Sequence, residues 1–221
     1  MRLLAIGDIH GCFTALTALW RAVKASEHDT VVFLGDYVDR GPESRQVLDL
    51  LVHESTRPNR IFLRGNHEVM MLSAAENPFQ ADSWKECGGR ETLMSYGVRD
   101  SHDWPSKIPD THWRFIRETL PYYETANHIF VHACLEPQLD LDEQPDDVLY
   151  WQTFEQLRPH KSGKRVVCGH TTLRDGKIAD VGYGVCLETA VAYGGWLSCL
   201  NVDSGVFWQS DEKGQTRTGK L

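Results

Sequence analysis

Short runs of apolar and β-branched residues recur along the chain and predict β-strands. These runs are 3–7, 30–35, 60–65, 128–132, 165–169, 185–189, 197–202 and 206–209. Several of the early runs are apolar at consecutive positions, which is typical of strands buried on both faces of a sheet. The front of the chain is therefore predicted to contain a partly parallel sheet, and the strand-rich end is predicted to form hairpins.

Between the early runs, the apolar positions change to the period of a helix. One predicted helix follows Thr14 as a candidate N-cap, a second begins at Pro42, and a third runs from Asp110 to Leu120. Their apolar faces are Leu16, Leu19, Trp20 and Val23; Val47, Leu48 and Leu51; and Trp113 and Ile116. Strand, loop and helix units in this order predict a layered α/β (α+β) sandwich.

Composition is consistent with one folded domain. The chain has 221 residues, of which 41% are hydrophobic and 24% are charged, and these values exclude a disordered or fibrous chain. No linker divides it, so we expect a single domain over residues 1–209 and a polar C-terminal tail over 210–221. The apolar stretch 3–7 is too short for a signal peptide, and no segment is apolar enough to span a membrane. We therefore expect a cytoplasmic protein with no membrane partner.

Charge restricts the choice of partners. The chain carries 31 acidic and 23 basic residues, a net charge of −8, which argues against nucleic acid as a partner. The run 140–147 holds five acids and no base, which favours a solvated loop; the alternative is that it overhangs a site and repels acidic substrates. The polar segment 76–104 is the predicted lid or substrate-facing insertion.

A residue that can bind a metal ion follows five of the predicted strands, in four cases directly after a glycine. The motifs are Gly7-Asp8-Ile9-His10, Gly35-Asp36, Gly65-Asn66-His67, Val131-His132 and Gly169-His170. The carboxyl ends of strands form the ligand crevice of open α/β sheets, so these side chains should converge. Each motif alone is more typical of an ordinary turn, but five together predict a metal centre.

Oxygen and imidazole donors are equally represented among the six candidate ligands, which are Asp8, His10, Asp36, Asn66, His132 and His170. The set contains no thiolate and exceeds the needs of one tetrahedral ion, so it favours two divalent ions over structural zinc. Two such ions, about 3.5–4 Å apart and bridged by a carboxylate, promote hydrolysis by activating water. A phosphate ester is the most natural substrate.

Four further side chains complete the predicted site: Arg40, Arg64, His67 and Asp39. Arg40 and Arg64 can hold phosphate oxygens in a bidentate fork, with a surface salt bridge as the alternative for each. His67 directly follows Asn66 and is suited to protonating the leaving group. Asp39 can orient the His67 ring and raise its pKa, as expected for a general acid.

Blocks 7–11, 35–41 and 65–68 resemble the three signature blocks of the phosphoprotein phosphatases, within the calcineurin-like metallophosphoesterase superfamily. His132 and Gly169-His170-Thr171 match the later ligands, and the second of these is similar to the bacterial and phage form. The resemblance implies the calcineurin-like metallophosphoesterase fold, a β-sandwich flanked by helices. The chain departs from the family pattern at Glu188-Thr189-Ala190, where Asp-Thr-Gly is usual, and at Ala133-Cys134-Leu135, where the eukaryotic enzymes commonly carry Gly-Gly-Leu.

The resemblance also implies how the site is used. One metal would lie on Asp8, His10 and Asp36, and the second on Asp36, Asn66, His132 and His170. A metal-bridging hydroxide would attack phosphorus directly, while His67 with Asp39 assists the leaving group and Arg40 and Arg64 grip the phosphoryl oxygens. Manganese is the expected metal, with iron or zinc as alternatives.

The function expected from the resemblance is a phosphoprotein phosphatase that hydrolyses phosphoserine or phosphothreonine and, as an extension, phosphotyrosine. Its partner would be a phosphorylated protein or peptide, with no regulatory subunit. A symmetrical dinucleoside tetraphosphatase is the alternative, supported by 194–200 but disfavoured by Asp39, by Glu68 and by the short span from His132 to His170. A catalytically inactive scaffold is a third interpretation, disfavoured because every ligand is retained.

Overall fold

Two stacked sheets form the centre of the protein, as seen in a computed structural model that describes residues 1–99 and 103–221. The strands are β1 (Leu3–Ile6), β2 (Thr30–Phe33), β3 (Arg60–Phe62), β4 (Tyr122–Glu124), β5 (His128–Val131), β6 (Arg165–Cys168), β7 (Ala179–Asp180), β8 (Gly184–Cys186), β9 (Glu188–Thr189), β10 (Trp196–Asn201), β11 (Val206–Ser210) and β12 (Thr216–Lys220). The first sheet has the order β12-β11-β10-β1-β2-β3, with β9 paired to β10, and the second has the order β4-β5-β6-β8-β7.

Each sheet contains a parallel group at its centre. Strands β1, β2 and β3 are parallel in the first sheet, and β5, β6 and β8 are parallel in the second. Strand β10 pairs antiparallel with β1, so a late segment of the chain lies beside the first strand. The parallel groups place the loops after several strands at a common edge, which is where the candidate ligands occur.

The helices are α1 (Phe13–Val23), α2 (Ser44–Glu54), α3 (Asn66–Glu76), α4 (Pro78–Trp84), α5 (Arg90–Ser95), α6 (Asp110–Glu118) and α7 (Asp146–Trp151). Helices α1, α2 and α6 match the predicted helices, although α1 is preceded by Cys12 and not by Thr14. Helices α3 to α5 were not predicted. The apolar residues of α3 are consecutive, from Val69 to Leu72, and therefore give no helical period.

Side chains alternate between two cores along the central strands. Ala5, Val32 and Val167 lie in the core between the sheets, whereas Leu4 and Phe33 pack against the helices that cover the first sheet. A third cluster lies between the second sheet and α7. Burial of both faces explains the consecutive apolar residues and confirms the mixed α/β architecture of two sheets flanked by helices.

The C-terminal segment differs from the prediction of a polar tail over 210–221. It contains the end of β11, a turn and β12, which pairs with β11 over five residues. Its polarity arises because β12 is an exposed edge strand, and charged residues such as Arg217 and Lys220 are typical of protected sheet edges. The run 185–189 also differs, since the chain passes from β8 in one sheet to β9 in the other.

Within residues 1–99 and 103–221, no helix has the length and apolar character needed to cross a membrane.

Candidate metal centre and cleft

The structure brings all six predicted ligands together. Asp8 and His10 follow β1, Asp36 follows β2, and Asn66 begins α3 directly after β3 and its short loop; His132 and His170 follow β5 and β6 of the second sheet. Five of the six side chains are buried, and His170 is partly exposed. The centre therefore lies where the strand ends of both sheets meet.

Asp36 lies at the middle of this centre. Its Oδ2 is 3.5 Å from His10 Nε2, and its Oδ1 is 3.5 Å from His132 Nε2. The two carboxylate oxygens thus face different imidazoles. On the His132 side, Asn66 Oδ1 is 3.0 Å from His132 Nε2 and 3.2 Å from His170 Nδ1. This is the arrangement expected of a carboxylate shared between two cation sites.

Each ligand imidazole is anchored by its other ring nitrogen to a backbone carbonyl. His10 Nδ1 donates to Val38 (3.1 Å), His132 Nδ1 donates to Leu34 (2.9 Å), and His170 Nε2 donates to Trp151 (3.1 Å). With one nitrogen protonated in this way, the other presents a lone pair to the centre. Such carbonyl contacts are the usual orienting partners of metal-binding histidines.

Burial prepares the imidazoles for metal binding. It lowers the pKa of His10 and His170, and lowers the pKa of His132 to about 4, so the three rings are neutral near pH 7. Burial, together with the nearby Asp36 and Glu188 carboxylates, raises the pKa of Asp8 well above its usual value. A bound cation would relieve that repulsion, so the donor set fits divalent metal ions.

Two of the glycines that precede ligands leave room for a neighbouring carboxylate. A Cβ on Gly65 would lie 2.1 Å from Asp36 Oδ1, and a Cβ on Gly169 would lie 2.0 Å from Asp8 Oδ1. Any side chain there would collide with a predicted ligand. The glycine-before-ligand pattern therefore reflects close packing of one ligand loop against another.

Left-handed backbone is concentrated at the site. His10, Asp36, Asp39, Arg40 and His170 all have φ between 47° and 73°. Residues other than glycine seldom adopt this conformation, and each such residue costs roughly 1 kcal/mol or more. The surrounding structure must therefore hold these loops firmly.

His67 and Asp39 form the predicted pair. His67 Nδ1 lies 2.7 Å from Asp39 Oδ2, and both side chains are buried. Burial lowers the pKa of His67, but the Asp36 and Asp39 carboxylates outweigh it and leave that pKa raised above its usual value. Asp39 itself accepts hydrogen bonds from Trp84 Nε1 (2.9 Å) and Thr92 Oγ1 (2.7 Å). The carboxylate is thereby fixed against the imidazole.

The two predicted phosphate ligands lie in different surroundings. Arg40 Nη1 is within hydrogen-bond distance of His10 Nε2, at the metal centre. Arg64 instead donates to Thr119 Oγ1 (3.1 Å) and to the carbonyls of Arg117 (2.7 Å) and Thr119 (3.1 Å). The structure brings Arg40 to the site but engages the Arg64 guanidinium with the end of α6.

Glu68 supports the site from within the fold. Its carboxylate accepts hydrogen bonds from the backbone N–H groups of Asp36 (2.8 Å), Tyr37 (2.8 Å) and Gly65 (2.9 Å). Glu68 therefore fixes the two ligand loops to each other. This role was not predicted from the sequence, although the position of Glu68 three residues after Gly65 is a capping-box spacing that could have indicated it.

Glu188 is a second residue that the sequence analysis did not place at the centre. It is 1% exposed, and together with Asp8 and His10 it offers ligand atoms that all lie within 4.8 Å of one another. Its carboxylate also accepts from Ala190 N–H and from Thr172 Oγ1 (3.4 Å). The sequence did contain a signal for this position, because Glu188-Thr189-Ala190 has a longer carboxylate where the turn usually has an aspartate.

An open cavity of about 740 Å³ lies beside the metal centre. The residues that line it include Arg40, Asn66 and His67 of the site and residues 85–88, 90 and 91. Part of the predicted insertion 76–104 thus faces the cavity; residues 100–102 lie outside the described chain. The acids of the run 140–147 are exposed and do not line this cavity.

Comparison with known proteins identifies a family. A family model described as Calcineurin-like phosphoesterase matches residues 1–197. A Legionella pneumophila protein named symmetrical bis(5'-nucleosyl)-tetraphosphatase is 31% identical over 143 residues, or 64% of this chain and 48% of the relative. A Coxiella burnetii protein of the same name is 30% identical over 139 residues, or 62% and 43%. The chain thus matches less than half the length of these curated relatives.

Solved structures with the same fold carry several activities. A chain provisionally described as a diadenosine tetraphosphatase gives a TM-score of 0.66 at 23% identity, over 99% of this chain and 93% of that one. A cold-active protein-tyrosine phosphatase from a Shewanella species gives 0.67 at 14%, over 98% and 80%. A protein serine/threonine phosphatase from Saccharomyces cerevisiae gives 0.61 at 19%, over 91% and 73%. At these identities they establish the fold alone.

These findings correct the expected partner. The curated relatives are named for a dinucleoside tetraphosphate, so the expectation of a phosphorylated protein or peptide substrate is wrong. The physical reason is that Asp39 and Glu68, on which that expectation relied, point into the fold. Asp39 contacts His67, and Glu68 contacts backbone N–H groups. Neither lines the cavity, so neither distinguishes one phosphate ester from another.

Proposed function

We propose that this chain, which belongs to the calcineurin-like phosphoesterase family, hydrolyses dinucleoside polyphosphates, with diadenosine tetraphosphate as a substrate. The observation that carries the choice of substrate is the name shared by the curated relatives at about 30% identity. Symmetrical cleavage of a four-phosphate bridge leaves two nucleoside diphosphates. The cavity beside the metal centre is open and large enough for such a ligand.

The metal cofactor we propose is a pair of divalent ions held by mixed oxygen and imidazole donors; the family resemblance favours Mn²⁺, with iron or zinc as alternatives. Asp8, His10 and Asp36 would hold one ion, and Asp36, Asn66, His132 and His170 would hold the other. When bound, the ions supply a water nucleophile near neutral pH and neutralise charge on the phosphate. The carbonyl-anchored imidazoles support this assignment, because their free nitrogens already face Asp36 and Asn66.

The protein side chains would bind the bridge and deliver a proton. His67 would donate the proton held at Nε2 to the leaving phosphate oxygen, since its raised pKa favours the protonated ring and Asp39 fixes Nδ1. Arg40 would bind an oxygen of the phosphate under attack. Arg64 would be a second phosphate ligand once its guanidinium leaves the acceptors on Arg117 and Thr119.

The test is hydrolysis of diadenosine tetraphosphate by the purified chain with Mn²⁺, with products separated by anion-exchange chromatography. We expect ADP as the sole nucleotide product. Asp36→Asn should abolish the reaction, while Asp49→Asn, which alters a carboxylate paired with His112 away from the site, should retain it. Formation of AMP with ATP, or hydrolysis of aryl phosphate without any cleavage of the dinucleotide, would overturn the proposal.

A further inference from the structure

Two exposed aromatic side chains stand at the walls of the cleft. Trp151 is 41% exposed and Tyr193 is 49% exposed, and both line the same cavity as Arg40, Asn66 and His67. Large aromatic surfaces of this kind are usually buried, and their exposure beside polar groups is typical of ligand sites. The cleft therefore offers flat apolar surface next to a phosphate-cleaving centre.

The backbone of Trp151 contacts the metal centre. It is the last residue of α7, and its backbone carbonyl accepts the hydrogen bond from His170 Nε2 (3.1 Å). Its ring also meets the buried Tyr150 ring edge-on, with centroids 5.8 Å apart and planes at 90°. Trp151 thus belongs to the backbone that orients a predicted metal ligand, while its partly exposed side chain lines the cleft.

Two guanidinium groups lie over the ring of Tyr193. Arg174 lies 4.8 Å and Arg40 lies 5.5 Å from the centroid of its ring, within the range of a cation–π interaction. Arg174 comes from the loop after His170 and is exposed. The ring therefore holds a second, unassigned arginine near the predicted phosphate ligand Arg40. Guanidinium groups suit phosphate oxygens because they offer paired donors.

We propose that the cleft is a nucleoside polyphosphate subsite in which Trp151 stacks on the base and Arg174, held by Tyr193, binds a phosphate distant from the cleaved bond. The proposal rests on the proposed function, which places the bridging phosphates at the metal centre. Aromatic stacking tolerates every base, so Trp151 confers preference for a nucleoside without selecting a particular one. Removal of such a platform weakens binding by about 5- to 150-fold.

The experiment compares two competitive inhibitors of p-nitrophenyl phosphate hydrolysis by the Mn²⁺-loaded chain: ATP, and inorganic triphosphate, which lacks the nucleoside. We expect Trp151→Ala to weaken inhibition by ATP about tenfold or more and to change inhibition by inorganic triphosphate less than twofold. Trp151→Phe should restore most of the ATP effect. Arg174→Gln should weaken both inhibitors together, because it removes a phosphate contact. The ratio of the two inhibition constants within each variant is unaffected by a change in basal rate.

Phe79→Ala is the matched control, because Phe79 is an aromatic residue that is 92% exposed but does not line the cleft. It should leave the ratio unchanged. An equal effect of Trp151→Ala on both inhibitors, or no effect on either, would overturn the subsite. If the chain fails to cleave diadenosine tetraphosphate while ATP inhibition still depends on Trp151, the proposed function fails and the subsite stands. If the chain cleaves diadenosine tetraphosphate but ATP inhibition does not depend on Trp151, the proposed function stands and the subsite proposal fails.

Discussion

His67 has a raised pKa because two carboxylates, Asp36 and Asp39, outweigh the effect of its burial. If His67 protonates the leaving group, His67→Asn should reduce hydrolysis of phenyl phosphate, a poor leaving group, by about 10²-fold or more. p-Nitrophenyl phosphate should be affected much less, and metal content should not change. In the unmodified chain, the rate on phenyl phosphate should fall as pH rises through the pKa of His67, because the ring loses its proton. Steady-state rates on both esters from pH 6 to 9, with metal analysis, measure these effects.

His112 provides the matched control for this prediction. It is also buried and also paired with an aspartate, since its Nε2 lies 3.0 Å from Asp49 Oδ1, but it is remote from the metal centre. His112→Asn should leave the ratio of the two ester rates unaltered. Equal losses on both esters in His67→Asn would show that His67 has a structural role and is not the acid.

Ala190 adopts the left-handed conformation, with φ 68° and ψ 33°, in the turn where glycine is usual. Glycine has no Cβ to strain there, so Ala190→Gly should stabilise the protein by about 0.5–1 kcal/mol, after allowance for the greater entropy of unfolded glycine. Urea denaturation measures the change. Ala192→Gly, in the short right-handed helical turn Val191–Tyr193, should destabilise instead. Destabilisation by both substitutions would contradict the strain argument.

At the scale of single residues, the sequence identified side chains whose type can bind a metal ion or transfer a proton and which follow predicted strands. All six predicted ligands and the His67–Asp39 pair meet because each follows a strand that the apolar pattern had located. Trp84 and Thr92 could not be assigned, since their hydrogen bonds to Asp39 join positions more than 40 residues apart. Local patterns do not encode such contacts.

At the scale of elements, Asp29 joins the start of β1 to the loop before β2. Its carboxylate accepts from Arg2 backbone N–H (2.7 Å), Arg2 Nη2 (2.7 Å) and Ser26 N–H (2.8 Å). The hydrogen bonds from Arg2 hold the pKa of Asp29 well below its usual value. Its ionised form therefore contributes stability that is present above about pH 4 and is lost as pH falls through the depressed pKa.

Asp29→Asn should therefore lower the free energy of unfolding at pH 7 by about 1–3 kcal/mol. The difference from the unmodified chain should shrink as pH falls below about 4. Urea denaturation at a series of pH values measures this, with the exposed Glu27→Gln as the control that should have little effect. A difference that stayed constant down to pH 2 would exclude the ionised carboxylate as its source.

The strands were predictable because burial on both faces leaves a continuous apolar run in the sequence. Helices α3 to α5 were not, since α3 begins with ligand and capping residues and its apolar residues are consecutive. The turn from Lys85 to Gly89 contains Gly88 at φ 117°, whose carbonyl accepts from Arg40 N–H. The conformation of this segment depends on its packing against the site, so it could not be predicted from the spacing of apolar residues.

At the scale of the molecule, the metal ligands come from both sheets, so divalent ions should bind the folded chain far better than the unfolded one. Mn²⁺ at 100 times its dissociation constant should add about 2.7 kcal/mol of stability. Calorimetry should show a higher melting temperature with Mn²⁺ and reversal by EDTA. His132→Ala should reduce the shift strongly, whereas His128→Ala, at a buried histidine outside the ligand set, should retain it.

The stability that Mn²⁺ adds should decrease as the pH is lowered. The folded imidazoles have lowered pKa values, about 4 for His132, whereas unfolded histidines take up protons near pH 6.5. The ligand imidazoles therefore contribute stability that decreases as pH falls below about 6.5. Protons also compete with the ions for the ligand groups, so the melting shift produced by Mn²⁺ should shrink with acidification. Metal-dependent melting shifts measured from pH 8 to 5 test the sign. A shift that grew with acidification would contradict the ligand assignment.

The position of β10 governs when the chain can fold during synthesis. β1 pairs with residues 199–201, which are synthesised long after β1 itself. Until then, one edge of β1 has no antiparallel neighbour, and the ligands from Asp8 to His170 have no complete frame around them. A nascent chain stalled before residue 196 thus exposes an apolar strand edge. A chain truncated before β10 should therefore lack a stable first sheet, and its metal centre should not assemble.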